Sequence, residues 1–291
     1  MGARPPRVLG MAQQRDATGR SYPAGVPCWV DTEQPDVDAA IDFYGGVFGW
    51  EFEDTAPSGG TGRYVIATLD GQEAGAIAGP GTGAAAWNTY VSVDDADAAA
   101  RHLLSVGATL KSAPADAGSG GVQAVLADPE GAEFRLWQAR ERLGAQAVNL
   151  PGGWNFSDLH TTDTEAAAAF YTKAFAWQFD NLDFGIMIRR TGYGDHLEAT
   201  VDPDIRVRQA GDLVPRGFED AVAWLAAAAP GERPQWHVTF TVADRDRTAQ
   251  VAERLGAVIL GQDDTEWTRT VLIKDPGGAF FTASQFTPPT G

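Results

Sequence analysis

One run of residues occurs twice along this chain, and a chain that repeats itself at long period folds as copies of one unit. Trp29 to Glu53 is WVDTEQPDVDAAIDFYGGVFGWEFE, and Phe156 to Asp180 is FSDLHTTDTEAAAAFYTKAFAWQFD. Without a gap, nine of these 25 positions are identical: Asp31, Asp36, Ala39, Ala40, Phe43, Tyr44, Phe48, Trp50 and Phe52. Average residue usage would give roughly one or two. The match resumes at WNTYVSVDDADAAARHLLSVGATL from Trp87 and WHVTFTVADRDRTAQVAERLGAVIL from Trp236, and it closes at VLADPEGAEF and VLIKDPGGAFF. The offset between copies grows from 127 to 149 residues, so the second copy carries about 22 extra residues. The insertion includes GFEDAVAWLAAAAP, where Phe218, Val222 and Leu225 recur at helical spacing and Pro230 stops the run. That pattern predicts an added helix near 217–229, placed as a lid.

Inside each copy the pattern is strand, helix, three strands, and then the same again. CWVDT and NFSDLH are short strands, and after the first of them Val37, Ala40, Ile41, Tyr44 and Phe48 fall on one helical face. Asp36 and Asp163 stand where an N-cap acceptor is wanted. A second helix, Ala96 to Val106, ends at Gly107, matched by Gly256, where a left-handed cap favours glycine. Asp128-Pro129-Glu130-Gly131 and Asp275-Pro276-Gly277-Gly278 are turns between strands. The fold class expected is therefore α+β, with two tandem domains at 26–139 and 154–288. A linker without periodicity covers 140–153, and a disordered tail covers 1–25.

Composition narrows the partners. A net charge of −17 repels a phosphate backbone, and no run of Lys and Arg interleaved with aromatics overrides it. Nucleic acid is excluded as an expected partner. The first two dozen residues hold no apolar stretch long enough for a signal peptide or a membrane span. The single cysteine, Cys28, excludes an internal disulfide and a Cys-based zinc site, and no activating neighbour makes it reactive. A cytoplasmic protein without membrane contact is the expectation. Of the nine tryptophans, Trp50, Trp177, Trp87 and Trp236 recur at matched positions and serve packing. Trp137, Trp154, Trp224 and Trp267 are less symmetric and are free to line a ligand site.

A strand, a helix with Phe-Tyr and a Phe-Gly-Trp-Glu ending, a Trp-initiated central strand and a late Asp-Pro-x-Gly turn together resemble the vicinal-oxygen-chelate superfamily, which holds glyoxalases, bleomycin-resistance proteins and extradiol dioxygenases. FYGGVFGWEFE and FYTKAFAWQFD resemble its tandem two-domain actinobacterial branch. The resemblance runs from Val26 to Pro288. It implies glyoxalase-like domains, each of two βαβββ modules forming a curved eight-stranded sheet around a cavity. Metal ligands in the family come from the first, fourth, fifth and eighth strands. The first-strand slots here are Trp29 and Phe156, the fifth Asn88 and His237, and the eighth Arg135 and Thr282; Glu198 in HLEATVD falls near the fourth slot of the second copy. Only His237 and Glu198 are good donors, whereas a catalytic divalent ion needs about three protein ligands. No resident cofactor is expected, and a divalent metal in the second domain is the less favoured alternative.

Strand alternation places Trp29, Asp31 and Glu33 on one face, and Phe156, Asp158 and His160 on another. An aromatic wall with a few converging polar groups is the usual recipe for holding a planar ligand. The expected ligand-binding set is Trp29, Asp31, Asn88, Arg135, Trp137, Phe156, Asp158 and Thr282. The competing structural reading has the two aspartates bracing the next loop. His237, Glu198 and His160 are the candidates for acid–base chemistry, although a lone strand histidine is more often simply a satisfied hydrogen-bonding residue. His102 and His196 are given surface or loop positions. Two functions stay open: a monomeric or homodimeric protein that binds and sequesters a small aromatic metabolite or antibiotic, or an enzyme (isomerase, lyase, hydroxylase or dioxygenase) using His237 and Glu198 with or without metal.

Overall fold

A computed structural model describes residues 19–55, 62–81, 83–182, 185–211 and 214–287. The first domain is β1 (Pro27–Glu33), α1 (Val37–Phe48), β2 (Glu51–Asp54), β3 (Arg63–Leu69) and β4 (Gln72–Gly79), then β5 (Ala86–Ser92), α2 (Ala96–Val106), β6 (Thr109–Asp116), β7 (Gly121–Ala127) and β8 (Glu133–Ala139). The second repeats it with β9 (Trp154–Thr161), α3 (Thr164–Phe175), β10 (Gln178–Leu182), β11 (Gly185–Arg189), the inserted helices α4 (Tyr193–Thr200) and α5 (Ile205–Arg208), and β12 (Ala221–Ala227). It ends with β13 (Gln235–Thr241), α6 (Arg245–Arg254), β14 (Val258–Asp264), β15 (Thr268–Lys274) and β16 (Phe280–Phe286). This is the expected α+β arrangement of two tandem domains.

Local chemistry sets the helix ends. Asp36 and Asp163 accept hydrogen bonds from the Ala39 and Ala166 amides at 3.0 and 2.9 Å, as N-caps do. Gly49 closes α1 at a φ of 73°, and Ala176 adopts the same left-handed conformation at the matched end of α3. The strands assemble in the order β2-β3-β4-β1-β5-β8-β7-β6, and the second sheet in the order β10-β11-β12-β9-β13-β16-β15-β14. Within each module the inner contact is parallel, β1 with β4 and β9 with β12, while the modules join through the antiparallel pairs β1–β5 and β9–β13. Each sheet is open, and side chains from its four central strands converge on one face.

Two expectations are corrected. The helix predicted near 217–229 is a 3-10 turn at Phe218–Asp220 followed by β12, and the inserted helices lie earlier, at 193–200 and 205–208. β12 bonds to β9 on one side and β11 on the other, with most of its residues buried, and a short apolar run of that kind has no period to separate it from a buried helix. The second correction concerns the tail. Residues 1–18 lie outside the described residues, but Tyr22 donates to the Ala145 carbonyl at 2.6 Å and the Arg20 amide to Gln146 Oε1 at 2.6 Å, so residues 19–25 are docked rather than disordered.

Packing crosses between the domains. Phe43, Tyr44, Phe48, Trp50 and Trp87 of the first share a core with Phe240, Val271, Ile273 and Phe281 of the second. Leu103, Leu126, Phe134 and Leu136 share the other core with Tyr171, Phe175, Trp177 and Trp236. Each core thus joins residues of one domain's leading helix to the closing strands of the other. The repeated residues explain themselves here. Tyr44 donates to Asp275 in the far domain's turn at 2.6 Å and accepts from Trp87 at 3.0 Å; Tyr171 repeats this with Asp128 at 3.1 Å and Trp236 at 3.0 Å. Trp50 donates to the Gly152 carbonyl, and Trp177 to that of Gly25.

Candidate functional site

The two sheets offer two cups built from the same strand positions. In the first cup, Trp29 and Asp31 on β1 face Tyr90 and Asn88 on β5, and Tyr90 lies beside Arg135 on β8. Asp31 is fully buried and is surrounded by donors. Asn88 Nδ2 donates to it at 2.8 Å and Tyr64 at 3.2 Å; Tyr90 makes a shorter bond, and the Arg135 guanidinium lies 3.6 Å away. Arg135 also donates to Tyr90 at 2.9 Å and pairs with Glu33. Burial, and then the charge of Asp31, keeps the Tyr90 and Tyr64 phenols protonated. Trp29 Nε1 donates to Tyr64 at 2.9 Å, and Trp137 Nε1 to the Arg142 carbonyl at 2.8 Å. The polar atoms of this cup are engaged with one another, with Arg135 Nε the exception.

The second cup keeps the aspartate and changes its surroundings. Phe156, Asp158 and His160 on β9 face Thr239, His237 and Gln235 on β13, Thr239 lies beside Thr282 on β16, and Asp158 lies beside Trp224 on β12. Where the first cup has Tyr90 and Arg135, this one has two threonines, so the bulk and the cation that filled the matched space are gone. Asp158 Oδ2 has one weak contact, Thr239 Oγ1 at 3.5 Å, and Asp158 Oδ1 is buried without a partner. The residue as a whole keeps partial exposure although that oxygen has none.

The electrostatics follow from this. Burial pushes the Asp158 carboxyl up to about 6, against a smaller opposing effect of His160. Burial, with repulsion from His160, pushes His237 down to about 4. His237 Nε2 and Thr282 Oγ1 share a hydrogen bond of 2.8 Å. His160 Nδ1 meets Glu232 Oε1 at 2.5 Å, and the two imidazole rings stack at 5.3 Å. Near neutral pH the cup therefore presents a neutral His237 beside a carboxyl that titrates close to that range. The arrangement can accept a hydrogen bond from a ligand hydroxyl and exchange a proton with it.

The strand positions that hold metal in the resembling family carry few donors here. The inward positions of the first, fourth, fifth and eighth strands are Phe156, Trp224, His237 and Thr282 in the second cup, and Trp29, Ala76, Asn88 and Arg135 in the first. One histidine among eight residues does not make a divalent site, and Arg135 brings its own positive charge to the first. Among the described residues no three His, Cys, Asp or Glu side chains are grouped to hold an ion.

Glu198 is the site residue the structure removes. Its segment is α4 rather than a fourth strand, and Glu198 is exposed and ion-paired with Arg206. The fourth strand is β12, which brings Trp224 to the cup. His102 bonds the Lys173 carbonyl at 2.9 Å and His196 that of Ser21 at 3.0 Å, both away from the cups. Cys28 is buried, and burial pushes its thiol up. Sequence reasoning passed over Thr239, Tyr90, Tyr64 and Glu232. Thr239 and Tyr90 stand two places beyond His237 and Asn88, so strand alternation would have found them; Tyr64 and Glu232 carry no local signal.

Comparison with known proteins agrees with this fold. The profile of the glyoxalase-like domain matches residues 29–137 and again 156–284. The chain is 32% identical over 274 residues to "Putative glyoxylase CFP32" of Mycobacterium bovis, covering 92% of this chain and 97% of that one. It is 31% identical over 277 residues to the anthracycline biosynthesis protein DnrV of Streptomyces peucetius, covering 89% and 93%. Among solved structures, the Mn(II)-bound glyoxalase from Novosphingobium aromaticivorans superimposes with a TM-score of 0.57 at 15% identity, covering 91% of this chain and 84% of that one. The 2,3-dioxygenase LapB from Pseudomonas sp. KL28 gives 0.58 at 13% identity, covering 91% and 95%. At that identity the structures share the fold alone.

Proposed function

The chain belongs to the glyoxalase-like domain family of the vicinal-oxygen-chelate superfamily, and from that premise we propose that it binds and sequesters a small planar aromatic metabolite or antibiotic in the cup of its second domain. One observation carries this reading: Asp158 Oδ1 is buried without a partner in the cup that has lost the tyrosine and arginine filling its twin. A buried acceptor left unmade costs about 1–3 kcal/mol, and a ligand hydroxyl recovers it. Phe156 and Trp224 supply aromatic faces, and His160, His237 and Thr282 supply the polar rim. The first cup is a structural counterpart in which the Arg135 guanidinium already sits beside the buried Asp31 carboxylate. The name of the relative DnrV supports an aromatic ligand, since anthracyclines are planar and polycyclic.

A second reading rests on a different observation. The Asp158 carboxyl, raised to about 6, and the cross-strand His237, lowered to about 4, are two groups in one cup that can each exchange a proton with a bound ligand, as a metal-free acid–base enzyme needs, and the relative named as a glyoxylase supports an activity. Both readings place a small molecule in the same cup. The net charge of −17 argues against nucleic acid, and the cores completed within one chain support a monomer. Among the described residues no helix is long and apolar enough to cross a membrane.

The test is a tryptophan-fluorescence titration with a panel of phenols and hydroxyquinones in EDTA. Saturable quenching lost in Thr239→Tyr/Thr282→Arg, which refills the cup as its twin is filled, supports the reading. Quenching that survives this change, or that needs a divalent ion, sinks it. Turnover of a bound probe, lost in Asp158→Asn, selects the enzyme.

A further inference from the structure

A second space lies beyond the cup, where the inserted helices and the docked residues 20–27 close over the start of β9. It is a cavity of about 100 Å³, lined by Arg20, Tyr22, Trp154, Phe156, Tyr193, Gln209 and Phe218 among others. Two of its polar atoms have no partner: Trp154 Nε1, on a side chain only 4% exposed, and Gln209 Oε1 on the residue that ends α5. Two neighbouring hydroxyls are already engaged. Tyr22 donates to the Ala145 carbonyl, and Tyr193 is bonded to Arg20. Those tyrosines therefore offer ring faces rather than hydroxyls. Arg20 and Glu219, both lining the cavity, balance each other in charge. Trp50, Trp177, Trp87 and Trp236 each donate to a named acceptor, whereas Trp154 keeps a buried N–H with nothing to receive it. Buried polar groups in folded proteins are almost always satisfied, and each exception calls for an explanation.

We propose that this cavity is a binding site for a neutral single-ring aromatic carboxamide or lactam, separate from the cup. The ligand's carbonyl accepts from Trp154 Nε1, its N–H donates to Gln209 Oε1, and its ring lies among Phe156, Tyr193 and Phe218. A cavity of about 150 Å³ closed on all sides holds benzene; this one opens to solvent, so one ring fits with an edge exposed. A carboxamide presents an acceptor and a donor on one edge, matching the pair left unmade. A carboxylate lacks the donor, and an alkylbenzene lacks both. The inference stands apart from the reading of the cup: it uses different unpartnered atoms, and only Phe156 is common to the two.

Benzamide is the probe, and the readout is the indole N–H spectrum of protein labelled with ¹⁵N-tryptophan. The Trp154 signal is identified by its absence in Trp154→Phe. Because the Trp154 N–H has no partner in the protein, that variant loses no internal hydrogen bond although its phenyl ring is smaller than the indole, and its melting temperature verifies the fold. Benzamide should shift the Trp154 signal saturably with a Kd of about 1 mM or tighter, as the size of such a ligand allows. Toluene should bind at least tenfold more weakly. Trp154→Phe and Gln209→Leu, read by a benzamide-observed titration, should each weaken binding roughly tenfold. Asp158→Asn should leave it unchanged. The proposal falls if the Trp154 signal stays fixed up to about 20 mM benzamide, as it would were the space filled by water alone. It falls equally if Gln209→Leu binds as well as the parent, or if Asp158→Asn removes binding and so assigns benzamide to the cup. Failure of the cup titration with Trp154 binding intact would overturn the proposed function and leave this site standing.

Discussion

Replacing Asp158 by Asn should make the protein more stable at alkaline pH, and the size of the effect follows from the cup. Burial raises the Asp158 carboxyl from an ordinary value near 3.8 to about 6. Because the folded value lies above the unfolded one, the folded state holds the proton more tightly than the unfolded chain does. Stability is then lost as pH rises from about 4 through 6, and the loss is complete above that. A difference of about two units corresponds to about 3 kcal/mol at pH 8, falling to roughly half of that near pH 5. Asparagine removes the charge but remains a partly unsatisfied buried amide, so about 2 kcal/mol of the penalty should be recovered at pH 8. For a chain of this length that raises the melting temperature by roughly 3 °C. The assay is urea denaturation of parent and variant at pH 8 and pH 5, with the gain at pH 5 clearly the smaller. A variant less stable than the parent at pH 8 would refute the reasoning, because Asp158 would then be a compensated charge rather than one kept at a cost for a ligand.

Other outcomes follow from named contacts. Arg135→Met should cost about 3–5 kcal/mol in urea denaturation, since it leaves Asp31 buried without its cation, and Asp31→Asn added to it should restore part of the loss. Tyr44→Phe strips a donor from Asp275 and an acceptor from Trp87, and should lower stability by about 2–3 kcal/mol with a single transition retained, because the bond joins the two domains. Ala176→Gly relieves a non-glycine residue at a φ of 57°, where the other copy already has Gly49, and should raise the melting temperature by an amount worth about 0.5–1 kcal/mol.

The duplication carried most of the fold. Nine shared residues and two matched Trp-initiated strands placed sixteen strands in two sheets because the repeated positions hold the architecture together. Asp36 and Asp163 cap helices, and Tyr44 and Tyr171 reach the opposite domain's turn. Legibility stopped where the copies diverge. Ala221–Ala227 has helix-forming composition but stands where β4 stands in the first domain; the packed sheet overrode propensity, and with it went Glu198. The polarity of the cups was only half visible. Alternation located Asp31 and Asp158, but that one is saturated and the other bare depends on Tyr64, Tyr90 and Arg135, which come from three separate strands. Likewise Glu232, which reaches His160 from a loop 72 residues away, leaves no mark near its partner.

Sharing each core between opposite ends of the chain also has a cost during synthesis. Phe43, Tyr44 and Phe48 leave the ribosome long before Phe281, the side chain they pack on. At ordinary elongation rates that interval is on the order of 10–50 s, during which an aromatic helix face has no cover. The face of that helix turned to Phe281 therefore stays uncovered until the last strand is delivered.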